Sequence, residues 1–144
     1  MEYYRLLNLI REPFPNTPNP DLFFPSRQHR ACLQQLEMAV RLRRGLNIVI
    51  GDVGSGKTLL SRILIRSLSG DGHLETHLML DPDFPDQTGF LSALARLFRI
   101  DIPDGDRLKS RRIKERIKAY LFQRGVREKV TLTLVIDEGQ KLSR

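Results

Sequence analysis

The chain has 144 residues, 40% hydrophobic and 28% charged, with a net charge of +7, which suits one globular domain with a real core and excludes a disordered or fibrous chain. No run approaches the ~20 apolar residues of a membrane helix, and the charges and four prolines that precede Pro25 argue against a cleaved signal peptide. Cys32 is the only cysteine, which rules out an intramolecular disulfide and a thiolate metal cage, so a cytoplasmic setting is expected.

Residues 1–25 mix Tyr3, Tyr4, Phe14, Phe23 and Phe24 with prolines. The segment is too apolar for disorder and is expected to be an irregular lead-in that wraps the domain surface. Ser26 is a candidate N-cap for a helix over 27–44, whose apolar positions Leu33, Leu36, Ala39 and Val40 recur at helical spacing. Arg41, Arg43 and Arg44 suit the dipole of its last turn, and Gly45 is placed to end it. Cys32 reads as a packing residue on this helix. Leu46 to Ile50 is short, apolar and flanked by glycines, the pattern of a buried strand.

A helix from Leu59 to Leu68 follows, with Leu59, Leu60, Ile63, Leu64 and Leu68 on its apolar side. Ser69-Gly70-Asp71-Gly72 is a turn, and Thr76 to Leu80 reads as a second strand closed by Asp81-Pro82. Phe90, Leu91, Leu94, Leu97 and Phe98 form one stripe of an amphipathic helix. After a break at 102–106, a basic helix from about Leu108 to Arg124 keeps Ile113, Ile117, Tyr120 and Leu121 on one face and stops at Gly125. Val130 to Ile136 is a third buried strand. Strands alternating with helices predict an α/β fold with a parallel sheet.

Two motifs carry chemistry. Gly51-Asp52-Val53-Gly54-Ser55-Gly56-Lys57-Thr58 fits the phosphate-loop pattern at every fixed position, between an apolar strand and a helix start. Glycines let backbone approach phosphate closely, and the N–H groups and dipole of the helix start favour polyphosphate. The cofactor-binding candidates are Gly51, Val53, Gly54, Ser55, Gly56, Lys57, Thr58 and Leu59. Lys57 is expected between the β- and γ-phosphates, and the Thr58 hydroxyl on Mg²⁺. The second motif is the apolar run Thr131 to Ile136 ending in Asp137-Glu138. Ligands of parallel sheets gather at the carboxyl ends of strands, which puts Asp137 at the same crevice as a second Mg²⁺ ligand. Glu138 is the candidate that orients or deprotonates the attacking water, so the catalytic candidates are Glu138 and Lys57. His29, His73 and His77 show no metal-ligand spacing and read as structural or surface residues.

The charge is uneven. Arg107 to Lys129 holds ten basic residues against Glu115 and Glu128, a net of +8 that leaves −1 for the rest of the chain. Such a stripe is either a footprint for an anionic partner or a solvated helix face; the second reading is favoured over nucleic acid.

The chain resembles the start of an AAA+ ATPase of the general-secretion-pathway A type (ExeA, with MshM-like pilus-assembly ATPases). Beside the two nucleotide motifs, the resemblance rests on Tyr4-Arg5-Leu6-Leu7-Asn8-Leu9, Glu12-Pro13-Phe14, Thr17-Pro18-Asn19-Pro20, Phe23-Phe24 and Pro25-Ser26-Arg27-Gln28-His29. It continues through Arg43-Arg44-Gly45-Leu46-Asn47 and Leu80-Asp81-Pro82-Asp83-Phe84 to Val135-Ile136-Asp137-Glu138-Gly139-Gln140, where the family usually has alanine in place of Gly139. A glutamate directly after the metal aspartate fits the additional-strand, catalytic-glutamate branch of these ATPases. No Asn-Lys-x-Asp motif supports a GTPase, and a small-molecule kinase leaves Glu138 without a role.

The resemblance implies a P-loop NTPase three-layer sandwich of AAA+ type, with ATP and Mg²⁺ as cofactors and ATP hydrolysis that drives assembly or remodelling in a secretion or pilus system. It implies a homo-oligomeric ring, with secretion or pilus-assembly proteins as partners and any inner-membrane attachment through segments beyond this chain. By the same analogy Phe23 and Phe24 help enclose adenine, with helix packing the preferred role for either alone. Residues 26–144 are then a partial nucleotide-binding domain lacking sensor 1, the arginine finger and the lid, so a C-terminally truncated chain is expected. In that case Ile48-Val49-Ile50 must either pair directly with Leu134-Val135-Ile136 or leave backbone unpaired, and the chain alone is expected to be of low stability with negligible turnover. The alternatives are a DNA-associated ATPase switch of the transposition or origin-recognition type, and a nucleotide-binding fragment that does not hydrolyse.

Overall fold

The computed structural model describes residues 3–10, 12, 19–106 and 110–143. Phe14, Arg107, Leu108 and Lys109, with Pro13, Thr17, Pro18 and Arg144, lie outside the described residues.

After a short helix, α1 (Tyr3–Leu6), and a 3-10 turn at Pro20–Leu22, α2 runs Arg27–Arg41. Ser26 caps it as expected: its hydroxyl accepts the His29 N–H. The helix ends three residues before the predicted point, and Gly45 does not end it. Arg43 takes the left-handed conformation at φ 53°, and the Arg43 and Arg44 N–H groups donate to Val40 and Ala39 carbonyls at 3.0 and 2.8 Å. These two bonds are the Schellman pair, here built on arginine, a cation that suits a helix C-terminus.

The largest departure follows. Leu46 to Ile50 is not a strand and is not buried: Leu46 is 88% exposed, Ile48 74% and Ile50 91%. Of the two alternatives the sequence allowed, pairing with Leu134 to Ile136 or remaining unpaired, the structure takes the second among the described residues. An apolar run becomes a buried strand only when another strand satisfies its backbone.

Then come α3 (Lys57–Leu68), β1 (Leu74–Met79), α4 (Gln87–Leu97), α5 (Ser110–Phe122) and β2 (Thr131–Ile136). The predicted stripes are buried as expected at Leu60, Leu64 and Leu68 on α3 and at Ile113 and Ile117 on α5. Helix α5 does not stop at Gly125; its winding continues as a π-turn over Gln123–Arg127, where Glu128 N–H donates five residues back to Gln123 at 3.0 Å. Strands β1 and β2 pair in parallel from Leu74↔Thr131 to Met79↔Ile136, with α4 and α5 forming the crossover. Helices α2 and α3 pack on each other and on the sheet, α3 at β1 and α2 at β2.

A buried cluster lies between α4 and α5. Ala95 and Ile113 are fully buried, with Leu91, Phe98 and Ile117 around them. A polar brace joins this unit to β1. Glu75 accepts from Tyr120 Oη at 2.8 Å, Arg124 Nε at 2.9 Å and His77 Nε2 at 2.8 Å, and Arg124 also holds Glu128. Phe98 stacks on Tyr120 at 5.5 Å and meets the His77 ring edge-on at 4.8 Å. Burial alone pushes the Glu75 carboxyl up, but the hydrogen bonds from Arg124, Tyr120 and His77 outweigh it and hold it below the ordinary carboxylate range.

Candidate functional site

The loop between Ile50 and α3 turns through two left-handed glycines, Gly54 at φ 77° and Gly56 at φ 85°, a region closed to most side chains. A Cβ on Gly51 would sit 2.8 Å from Ser55 Oγ, so a side chain there would push the Ser55 hydroxyl aside. Gly56 is the N-cap of α3 and offers no side-chain acceptor. The N–H groups of Lys57, Thr58 and Leu59 therefore stand at a helix start with no carbonyl a turn earlier to receive them. Lys57 lies over the loop, with Nζ donating to the carbonyls of Gly51 and Asp52 at 2.8 Å each. Val53 is wholly exposed at the loop tip.

The second motif arrives from far along the chain. Strand β2 delivers Asp137, whose N–H extends the ladder to the Met79 carbonyl at 2.8 Å. Thr58 Oγ1 donates to Asp137 Oδ2 at 2.7 Å across 79 residues of sequence. The two residues singled out as metal ligands thus touch. A hydroxyl and a carboxylate, both hard oxygen donors, suit Mg²⁺, which takes few protein ligands and keeps water and phosphate for the rest. No cluster of three His, Cys, Asp or Glu occurs among the described residues, so a closed cage of the zinc or calcium kind has no donors here.

Glu138 is exposed, in the left-handed region at φ 58°, and its Oε2 accepts from Gln140 Nε2 at 2.6 Å. It shares this conformation with Asn8, Arg43, Arg99 and Lys129, and here it turns the chain out of β2 into the 3-10 turn over Gly139–Ser143. Lys141 fastens the following turn to the end of β1 by donating to Asp81 at 2.9 Å, and that carboxylate keeps the Lys141 ammonium charged to higher pH than usual.

Other sequence expectations fall differently. Phe24 is 84% exposed and packs on no helix, whereas Phe23 meets the His29 ring edge-on at 5.4 Å. Within the basic stripe, Arg124 turns inward to Glu75, and Arg111 pairs with Glu115 on its own helix. His29, read from sequence as structural or surface, touches the phosphate loop, its Nε2 2.9 Å from the Ser55 carbonyl. The one hint in the sequence is that His29 lies a single helical turn beyond the capping Ser26, at the end of α2 nearest the loop.

The family model described as an AAA domain matches residues 40–144. The chain is 29% identical over 140 residues to General secretion pathway protein A of Aeromonas hydrophila, a match covering 97% of this chain and 24% of that protein. The chain thus spans about a quarter of the length of the curated relative it matches. No solved structure matches it.

Proposed function

The chain belongs to the AAA domain family, and from that premise we propose that it is the ATP-binding module of an ATPase whose turnover drives assembly or remodelling in a secretion system. The observation that carries the reading is the Thr58–Asp137 contact, which joins the two halves of a nucleotide site from opposite ends of the domain. In this proposal the loop amides from Gly51 to Leu59 receive the phosphates, and Lys57 leaves the Gly51 and Asp52 carbonyls to bridge the β- and γ-oxygens. Thr58 and Asp137 would hold Mg²⁺, which when bound would supply positive charge against the phosphate oxygens. Glu138 orients the attacking water and takes its proton. An arginine from a neighbouring subunit of a ring completes the charge stabilisation. The secretion role is supported by similarity to General secretion pathway protein A. No helix among the described residues is long and apolar enough to cross a membrane.

The Asp137 assignment is testable by titrating ATP into the natural full-length protein with and without Mg²⁺. Wild type should bind Mg²⁺·ATP about tenfold more tightly than metal-free ATP, and Asp137→Asn should lose that difference. A magnesium effect undiminished in the variant would remove Asp137 from the metal site.

A further inference from the structure

Helix α2 begins beside the phosphate loop, and its first turn carries a hydrogen-bonded relay that ends on the loop backbone. His29 Nε2 lies 2.9 Å from the Ser55 carbonyl oxygen, and His29 Nδ1 lies 2.6 Å from Ser26 Oγ. A carbonyl only accepts, so Nε2 carries the proton; the neutral ring then accepts the Ser26 hydroxyl proton at Nδ1. Ser26 keeps its capping role through the His29 N–H, 3.3 Å from the same oxygen. Phe23 meets the imidazole edge-on at 5.4 Å and restricts its plane. Sequence position gives no account of this arrangement, because the contact spans 26 residues.

The consequence lies in the Ser55–Gly56 peptide. No cis peptide bond occurs among the described residues, so this unit is trans, and its C=O and N–H point in opposite directions. An imidazole that fixes the Ser55 oxygen toward α2 thereby turns the Gly56 N–H to the side away from His29. Rotation of this peptide would instead present a carbonyl oxygen to phosphate, replacing an attraction by a repulsion. Gly56 has φ 85°, and glycine flips readily between backbone regions, so this peptide most needs an external hold. The fit is close: a Cβ on Gly56 would lie 3.3 Å from His29 Nε2.

We propose that His29 is a positioning residue for nucleotide binding: through the Ser55 carbonyl it orients the Gly56 amide toward the phosphates, with Ser26 fixing its tautomer. The inference rests on the nucleotide reading above and goes beyond it by placing α2 and the lead-in, through Phe23, in control of the loop.

The test is ATP calorimetry on the full-length protein, comparing wild type with His29→Met, His29→Gln, Ser26→Gly and Lys57→Ala. Met fills the ring's space without a donor, whereas Gln places an N–H near the position of Nε2. His29→Met should weaken ATP binding about tenfold, the scale of one lost orienting hydrogen bond, while His29→Gln should restore it to within about threefold of wild type. Ser26→Gly, which leaves an acceptable helix cap, should give an intermediate loss of about threefold and keeps the question open to decision if His29→Met fails to fold. Wild-type affinity in both His29→Met and Ser26→Gly, with binding lost in Lys57→Ala, would overturn this inference and leave the nucleotide site standing. Equal losses in His29→Met and His29→Gln would also overturn it, since a purely structural role gives no rescue by the donor. Absence of ATP binding by wild type would overturn both readings.

Discussion

The unit made of β1, α4 and α5 encloses its apolar side chains, whereas the stretch entering the phosphate loop leaves its own in water. Ile113 and Ala95 are 0% exposed, while Ile50 is 91% exposed and Leu46 88%. The residue types are similar; the supply of partners is not. Helices α4 and α5 follow one another in the chain and pack together, and Glu75 fastens α5 to β1 through Tyr120. Leu46 to Ile50 needs a strand beside it, and no strand among the described residues pairs with it. Helix α3 joins the two regions: Leu60, Leu64 and Leu68 are buried along it, while Lys57 and Thr58 stand at its start beside the loop. The exposed approach to the loop is where cohesion is weakest.

The sharpest way to break this contrast is to truncate one isoleucine on each side. Ile113→Ala should cost about 3 kcal/mol through a cavity in a closed core, and Ile50→Ala less than about 0.5 kcal/mol, both read by urea denaturation followed by circular dichroism. Equal losses would mean that the approach segment is packed after all. A smaller effect is expected at the brace. Glu75 has its carboxyl pKa below 4.5 in the folded state, held there by Arg124, Tyr120 and His77 against the upward push of burial. Its stabilisation is then present above 4.5 and is lost as pH falls through the lower folded value. Glu75→Gln should remove about 1 kcal/mol at neutral pH and flatten the acid limb of the stability profile. An acid limb identical in wild type and variant would show that the brace contributes nothing through its charge.

Much of the fold was legible because most of its determinants are local. Ser26 as a cap, the stripe on α4 and the isoleucines of α5 depend on neighbours within a few turns, and each is found where the spacing put it. The family was legible for a different reason, since phosphate binding demands glycines, lysine and threonine at fixed spacing. What escaped was pairing at a distance. The run Leu46 to Ile50 shows that its side chains suit burial but not whether a strand lies alongside. The helix ends at Arg43 and Arg99 escaped too, because both residues occupy the left-handed region where glycine is the usual occupant. His29 was overlooked because nothing near it in sequence announces the Ser55 carbonyl. Glu138 was marked from its place after Asp137, but its φ of 58° is visible only in three dimensions.

The most direct measurement of the central claim is calorimetric titration of Mg²⁺·ATP into the full-length protein, with Lys57→Ala as its partner. Wild type should give saturable one-site heat, and the variant should lose at least about a hundredfold in affinity. Wild-type heat that survives unchanged in Lys57→Ala would place the nucleotide elsewhere and contradict the account.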